Sequence, residues 1–419
     1  MSERVRILWH WGSLGPYHIA RMNAVARKPG MELTVLEDSS EDQHHWTTRG
    51  EAAFRLITSD GNRLASSFAG RRKTADAYRQ VLAKIQPDIV VEGLWDLQAV
   101  AALFDYLRAQ PRTKVVLWSE TTEWDRPRGV WREGVKKLIL SQFDGALVAG
   151  SAHGQYLQKL GLVGDRIGVA GGCVDNAFFH ERAEQLRHSG EGRRDVGTAN
   201  PYFLFVGRLV PAKNVRGLLA AYARYRRFAH GPWDLVIVGD GHEASALRAL
   251  AAEVCPEGVV FAGLQQVDEI VNFYAHASCF VLPSIFEPWG LVVNEAMACG
   301  TPVLVSDRCG CAHELVQDHV SGFTFNPLDT AELAAAMEQF SNGSIDCAAV
   351  AERASKCVED FSPERYGETT ERLVLRLFGK ASLRSRQSGL ALLFLSRFAL
   401  SAYCILARVR AGYQHSPAI

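Results

Sequence analysis

The stretch SCFVLPSIFEPWGLVVNEAMACGTPVLVSD, residues 278–307, reads as strand, turn, helix and strand. SCFVLPS and TPVLVSD are short apolar runs with turn residues at their ends, as buried strands require. Between them a helix begins near Gly290 and stops at Gly300, a residue suited to the position just past a helix end. A short apolar strand, a covering helix and another short apolar strand make the repeating unit of a parallel sheet with helices on both faces.

The same alternation extends outward on both sides. Upstream in the second half, YFLFVGR, DLVIVGD and GVVFAG bring the strands to five, separated by NVRGLLAAYARYRRFA, EASALRALAAEV and VDEIVNFYAHA as helices. From Val5 to about Phe179 the pattern occurs independently, with VRILWHW, MELTVLE, DIVVEG, KVVLWSE and GALVAGS as strands. The helices there are YHIARMNAVARK, TADAYRQVLAKI and LQAVAALFDYLRAQ. A chain of 419 residues is too long for one ordinary core. The expected organisation is a first domain at 1–185, a hydrophilic linker at 186–200, and a second domain at 201–360. A helix at 361–380 then returns toward the first domain, and 381–419 form an apolar and basic tail. Two α/β domains of this kind predict a ligand cleft between them, at the carboxyl ends of the strands.

Composition narrows the function classes. Lysine plus arginine and aspartate plus glutamate number 46 each, so no global field draws the chain to nucleic acid. The nine cysteines are odd in number and scattered, which excludes a disulfide framework and fits a reducing cytoplasm. Cys309 and Cys311 lack a second ligand pair for zinc. The amino terminus reads as a first strand and not as a signal peptide. In the tail, residues 388–407 are apolar apart from Arg397, and arginines flank them. Arg397 in mid-bilayer would cost about 2.5–3.5 kcal/mol, so an in-plane helix over 388–410 is the cheaper membrane contact. A helix packed on the protein or on a second subunit is the alternative. The expected location is the cytoplasm, at the inner face of the membrane where that contact forms.

Chemistry concentrates around the opening stretch. Glu295 shares a helix face with Leu291, Val292 and Cys299, and a carboxylate on an apolar stripe needs donors from protein or ligand. Glu287 lies in the turn before the helix, beside N–H groups that have no intrahelical partner. Eight residues at ~1.5 Å rise place the two carboxylates up to about 12 Å apart. Paired carboxylates of glycosidases sit roughly 5–9.5 Å apart, which argues against a joint acid and base. A ligand with two hydroxyl-bearing parts and negative charge between them suits both carboxylates and the helix dipole, and a nucleoside diphosphate sugar has that form. In FVGRLVPAKN, Arg208 and Lys213 suit a diphosphate, or a solvated surface. Gly12 and Gly15, in HWGSLGPYHIARM, let backbone approach a ligand closely. The spacing is not that of a dinucleotide fingerprint, and VGDGHE at 238–243 reads as a plain turn.

Residues 201–330 resemble the carboxyl-terminal half of the family 4 (group 1) retaining glycosyltransferases. FVGRLVPAKN, LVIVGDG, VVFAGLQQ, YAHASCFVLPSIFEPWGLVVNEAMACGTPVLVSDRCGCAHEL and SGFTFNPLD occur in that order. In the first half AGSAHGQYLQKLGLVGDRIGVAGGCVDNAFF is similar too. The resemblance implies the GT-B fold, two facing Rossmann-like domains with a deep interdomain cleft. It implies that Glu287 contacts the donor sugar, Glu295 the ribose, and Arg208 and Lys213 the diphosphate. The backbone at Trp289, Gly290 and Leu291 would complete the cradle, with Gly12 and Gly15 approaching from the first domain and Trp289 kept as an aromatic platform. Transfer would retain anomeric configuration. The chain has no Asp-x-Asp, so neither metal nor cofactor is expected beyond the nucleotide-sugar co-substrate. The partner expected is a carbohydrate, glycolipid or small-molecule acceptor. Where many members carry a His-Asp or similar pair after the strand that here reads VVLWSETTEW, Ser119, Glu120 and Thr121 occupy the loop, so Glu120 is either the histidine's replacement or a capping acid. His18 either reaches the cleft or packs. The alternatives are a nucleotide-sugar epimerase or phosphorylase of the same fold, or a non-catalytic membrane-associated binding module.

Overall fold

The computed structural model describes residues 4–38, 50–59, 68–93, 97–124 and 129–379. The tail expectation over 388–410 lies outside them. Among the described residues, no helix is long and apolar enough to cross a membrane.

The chain forms two compact units. Among the described residues the first runs to Ala170 and resumes at Tyr366, while the second is the segment Gly171–Arg365. In chain order the first contains β1 (Val5–Trp11), α1 (Pro16–Ala26), β2 (Met31–Glu37), β3 (Arg55–Thr58), α2 (Phe68–Ile85) and β4 (Ile89–Glu92). There follow α3 (Leu97–Ala109), β5 (Lys114–Ser119), α4 (Val130–Leu140), β6 (Gly145–Val148), α5 (Ser151–Lys159) and β7 (Ile167–Val169). Its seven strands are parallel, in the order β3-β2-β1-β4-β5-β6-β7. The inner strands β4, β5 and β6 are buried throughout, which is why they read as unbroken apolar runs.

The second unit contains α6 (Asn176–Ser189), β8 (Tyr202–Val206), α7 (Val215–Phe228), β9 (Asp234–Val238), α8 (Ala244–Val254), β10 (Val259–Gly263) and α9 (Val267–His276). It continues with β11 (Cys279–Leu282), α10 (Leu291–Ala298), β12 (Val303–Ser306), α11 (Ala312–Leu315), β13 (Phe323–Phe325), α12 (Thr330–Ser341) and α13 (Cys347–Glu359). The parallel order is β10-β9-β8-β11-β12-β13. Six strands replace the five expected, because β13 is only three residues long and its signal falls below a readable period. The hydrophilic stretch 186–200 forms the end of α6 and a 3-10 turn at Arg193–Val196, with Val196 buried.

Both sheets reverse direction of growth once. The switch lies between β1 and β4 in the first and between β8 and β11 in the second. Loops leaving the carboxyl ends of such neighbours diverge to opposite faces and leave a crevice where ligands bind.

The last helix, α14 (Pro363–Phe378), crosses back into the first unit at Tyr366. Tyr366 is buried against Trp9 and Trp118, at 6.1 and 5.5 Å between ring centroids. Leu373, Val374 and Leu377 are buried as well. Gly367 allows the helix to approach α1, since a Cβ there would lie 2.8 Å from the Ala24 carbonyl oxygen.

Candidate functional site

In the second unit the loops at the switch point are built backbone against backbone. After β8 the chain runs through Gly207 and Arg208 into a 3-10 turn, Pro211–Lys213. After β9 it turns at Gly239, whose φ of +134° lies in the left-handed region. A Cβ there would sit 1.9 Å from the Gly207 carbonyl oxygen, and one on Gly241 would sit 2.4 Å from that of Leu209. The Leu209 N–H donates to the Asp240 carbonyl at 2.9 Å. VGDG is thus a turn whose glycines let two loops stack.

The loop after β11 docks on this pair, the Ile285 N–H donating to the Ala212 carbonyl at 2.9 Å. Lys213 and Glu287, 74 positions apart, form an ion pair, with both side chains largely shielded from solvent. The Ser284 hydroxyl reaches the same Glu287 oxygen at 3.5 Å. From the other side the loop after β12 braces the turn. The Gly310 N–H donates to the Glu287 carbonyl at 2.9 Å, and the Cys311 N–H to the Trp289 carbonyl at 3.0 Å. Gly310 can pass there only without a side chain, as its Cβ would meet the Pro288 oxygen at 1.9 Å.

Gly290, at φ +104°, is the N-cap of α10. Apart from Val293, whose N–H donates to the Gly290 carbonyl at 2.9 Å, the first-turn N–H groups of α10 are without the i−4 acceptor of a helix interior, and they carry the positive end of the helix dipole four positions after Glu287. One turn inside the helix, the Glu295 carboxylate accepts from the Tyr274 hydroxyl at 2.7 Å. Desolvation pushes its pKa up to about 7, against the opposing effect of that hydrogen bond. The residue as a whole is half-buried.

Trp289 departs from expectation. Its indole is 2% exposed, so it is no platform for a ligand. The ring N–H donates to Asn294 Oδ1 at 2.9 Å, and Asn294 Nδ2 donates to the Gly172 carbonyl at 3.0 Å. The side chain therefore anchors the start of α10 to the entry of the unit, leaving backbone as what Trp289, Gly290 and Leu291 offer a ligand. Arg208 is exposed beside the Lys213 turn and forms no ion pair among the described residues.

The other expected residues lie in the first unit. Gly12 follows β1, and Gly15 is the N-cap of α1. The Gly15 N–H donates to His18 Nδ1 at 2.9 Å, so the proton of a neutral His18 is on Nε2. The His18 ring is buried against Tyr17 and Trp11, at 4.1 and 4.7 Å between centroids. Glu120 follows β5, half-buried.

Sequence reasoning missed a buried ionic cluster where β1, β2 and β4 end. His10 Nδ1 lies 3.1 Å from both Glu92 carboxylate oxygens, and its Nε2 lies 2.9 Å from Asp38 Oδ1. Tyr78 stacks on the imidazole at 4.3 Å and donates to Glu92 at 3.0 Å. Burial opposes the imidazolium, but the two carboxylates together outweigh it and raise the His10 pKa to about 10. These residues are 28 and 82 positions apart, and no local motif signals them. Neighbouring Glu37 accepts from the Leu14 N–H at 2.8 Å, which holds the Gly12–Gly15 turn. Among the described residues no three His, Cys, Asp or Glu side chains are grouped as metal ligands.

Two parallel Rossmann-like sheets, each with one switch point, define the GT-B class of fold. Residues 193–357, which hold all the second-unit site residues, match the family model for glycosyl transferases group 1. A D-inositol 3-phosphate glycosyltransferase of Acidothermus cellulolyticus is 35% identical over 194 residues, 44% of this chain and 42% of that protein. The chain thus spans less than half the length of that curated relative. Among solved structures, the sucrose-phosphate synthase of Thermosynechococcus elongatus superposes with TM-score 0.70 at 21% identity, covering 90% of this chain and 99% of that one. The Anabaena protein HepE in complex with UDP-glucose gives 0.67 at 18%, covering 89% of this chain and 100% of that one.

Proposed function

We propose that this chain transfers a sugar from a nucleotide-diphosphate sugar to a carbohydrate, glycolipid or small-molecule acceptor, with retention of configuration and without a metal ion. The observation that carries the reading is the Lys213–Glu287 pair at the β8/β11 switch point, next to the amino terminus of α10. A cation, a carboxylate and a helix amino terminus brought together by two neighbouring loops match the alternation of phosphate and hydroxyl groups along such a donor.

In this reading Lys213 and Arg208 meet the two negative charges of the diphosphate, and the first-turn N–H groups of α10 complete the cradle. Glu287 is released from Lys213 to accept hydroxyls of the sugar. Glu295, oriented by Tyr274, accepts from the ribose. The bond between the anomeric carbon and the phosphate oxygen breaks while the acceptor oxygen bonds on the same face. The acceptor proton passes to the departing phosphate oxygen. Charge gathering on that leaving group is what Lys213, Arg208 and the helix dipole stabilise, and preorganised groups do this without reorganisation. HepE, which binds UDP-glucose, supports the choice of donor.

The test is a thermal-shift screen of the full chain against ribonucleoside diphosphates and their sugar conjugates. A ligand at about 100 times its Kd adds about 2.7 kcal/mol to stability. At least one nucleotide should raise the melting temperature, and Glu295→Ala should weaken every ribonucleotide response. If no nucleotide stabilises the wild type, the reading fails. With the donor found, the proton NMR signal of the newly transferred sugar reports retention, and an inverted product would remove that part.

A further inference from the structure

Among the described residues the chain passes from the first unit to the second at Ala170–Gly171 and back at Arg365–Tyr366. The second-unit ends of both passages meet on one side chain, the Trp289 indole. Gly172 lies against it so closely that a Cβ there would be 2.3 Å from the ring nitrogen. Asn294 closes this contact, accepting from the indole N–H at 2.9 Å and donating to the Gly172 carbonyl at 3.0 Å. Phe361, shortly before the return passage, packs on the indole at 5.8 Å between ring centroids.

The two passages are also tied to each other. Gly171, at φ +80°, would place a Cβ 3.2 Å from Phe361 Cδ1. Asn176, at the start of α6, donates from Nδ2 to the Val358 and Phe361 carbonyls at 2.9 and 3.2 Å. Gly171, Gly172, Phe361 and Trp289 therefore form one closed set of contacts. The Trp289 backbone belongs to the donor-facing turn, between Glu287 and the Gly290 cap of α10, where its carbonyl accepts from the Cys311 N–H at 3.0 Å. Hinges are a few positions at the ends of elements that absorb a change of φ and ψ. A left-handed glycine at one passage, beside an indole that touches both ends, is such a place.

We infer that Trp289 is a positioning residue for the transfer. Its side chain joins the donor-facing turn to both passages, so a nucleotide seated on the turn fixes the passages as well. That consequence rests on the nucleotide reading, whereas the linkage itself rests on the contacts of the indole. A ligand shifts a conformational equilibrium only through unequal interaction with its states. The indole is the path by which contacts at the turn distinguish one setting of the passages from another.

The test is hydrogen–deuterium exchange of the full chain, read in peptides covering 171–179, 285–291 and 358–365. Without ligand, Trp289→Leu should quicken exchange about ten-fold in both 171–179 and 358–365. Asn294→Ala cuts only the Gly172 arm, so it should quicken 171–179 about ten-fold and 358–365 by less than about two-fold. It carries the test should Trp289→Leu fail to fold. Tyr202→Phe is the control: it removes another buried hydrogen bond of the same unit, from the Tyr202 hydroxyl to the Phe273 carbonyl at 2.7 Å, and should leave both passages as in wild type. With UDP, and in parallel ADP, the wild type should slow at 285–291 and at both passages together. In Trp289→Leu the nucleotide should slow 285–291 alone, and in Asn294→Ala it should spare 171–179, a split that a merely structural tryptophan would not produce. The linkage is overturned if both variants change the passages no more than Tyr202→Phe does. It is equally overturned if a nucleotide slows the passages alike in wild type and Trp289→Leu. If neither nucleotide slows 285–291 in the wild type, the nucleotide reading fails for both, and the ligand-free comparison alone decides the linkage.

Discussion

Replacing Glu295 by glutamine should stabilise the protein near neutral pH and weaken nucleotide binding at the same time. The carboxyl has its pKa pushed from the ordinary 4.5 to about 7 by desolvation. The folded state therefore holds the proton more tightly than the unfolded chain. For an acid shifted upward, stability is highest below about 4.5 and declines as pH rises through about 7. At ~1.4 kcal/mol per pH unit the full decline is at most about 3 kcal/mol. Glutamine is neutral at every pH and can still accept from the Tyr274 hydroxyl through its amide oxygen. The difference in melting temperature between variant and wild type should grow from pH 5 to pH 8 by roughly 2–4 °C per kcal/mol for a unit of this size. A difference that stays flat over that range would refute the reasoning. So would a variant that gains stability and binds ribonucleotides as tightly as before, because the strained carboxylate would then serve no ligand.

Three further outcomes follow from the same geometry. Trp289→Phe keeps the ring but leaves Asn294 Oδ1 without its donor in a buried setting, so denaturant unfolding should show a loss of about 1–3 kcal/mol. His10→Gln removes the cation between Glu92 and Asp38 and should cost about 3–5 kcal/mol at neutral pH. The His10 pKa is raised from 6.5 to about 10, so its contribution is fully present below 6.5 and is lost as pH climbs through about 10. Wild-type stability should therefore fall more steeply than the variant's between pH 8 and 11 in urea titrations. Sugar transfer, once a donor and acceptor are found, should persist in EDTA; loss of turnover restored by Mg²⁺ or Mn²⁺ would show that Lys213 and Arg208 do not suffice.

Most of the strands could be read because a parallel sheet buries both faces and writes itself as apolar runs. VRILWHW and MELTVLE coincide with β1 and β2. The strands that went unread are short edges. β3 is mostly exposed, β7 is three residues with no buried position, and β13 is three residues. Glu287, Lys213 and Glu295 stood out because each charge interrupts an otherwise apolar or glycine-bearing turn or helix. Their pairing did not, since the Lys213–Glu287 contact joins loops 74 positions apart and exists only once β8 and β11 are neighbours. Tyr274 was invisible for the same reason, lying among the core residues of α9. An indole at 289 cannot be told from a ligand-facing one by sequence, because the distinction rests on Asn294 and Gly172 being at hand.

The return of α14 to the first unit has a consequence for biosynthesis. Among the described residues the second unit is one segment, whereas the first is completed only by residues from Tyr366 onward. During translation the second unit can close its core while the first still lacks the helix that covers Trp9 and Trp118. A nascent chain halted before Tyr366 would present those aromatic side chains to chaperones. Mutations in α14 should therefore act late, on retention of an otherwise synthesised protein, and not on the assembly of the second unit.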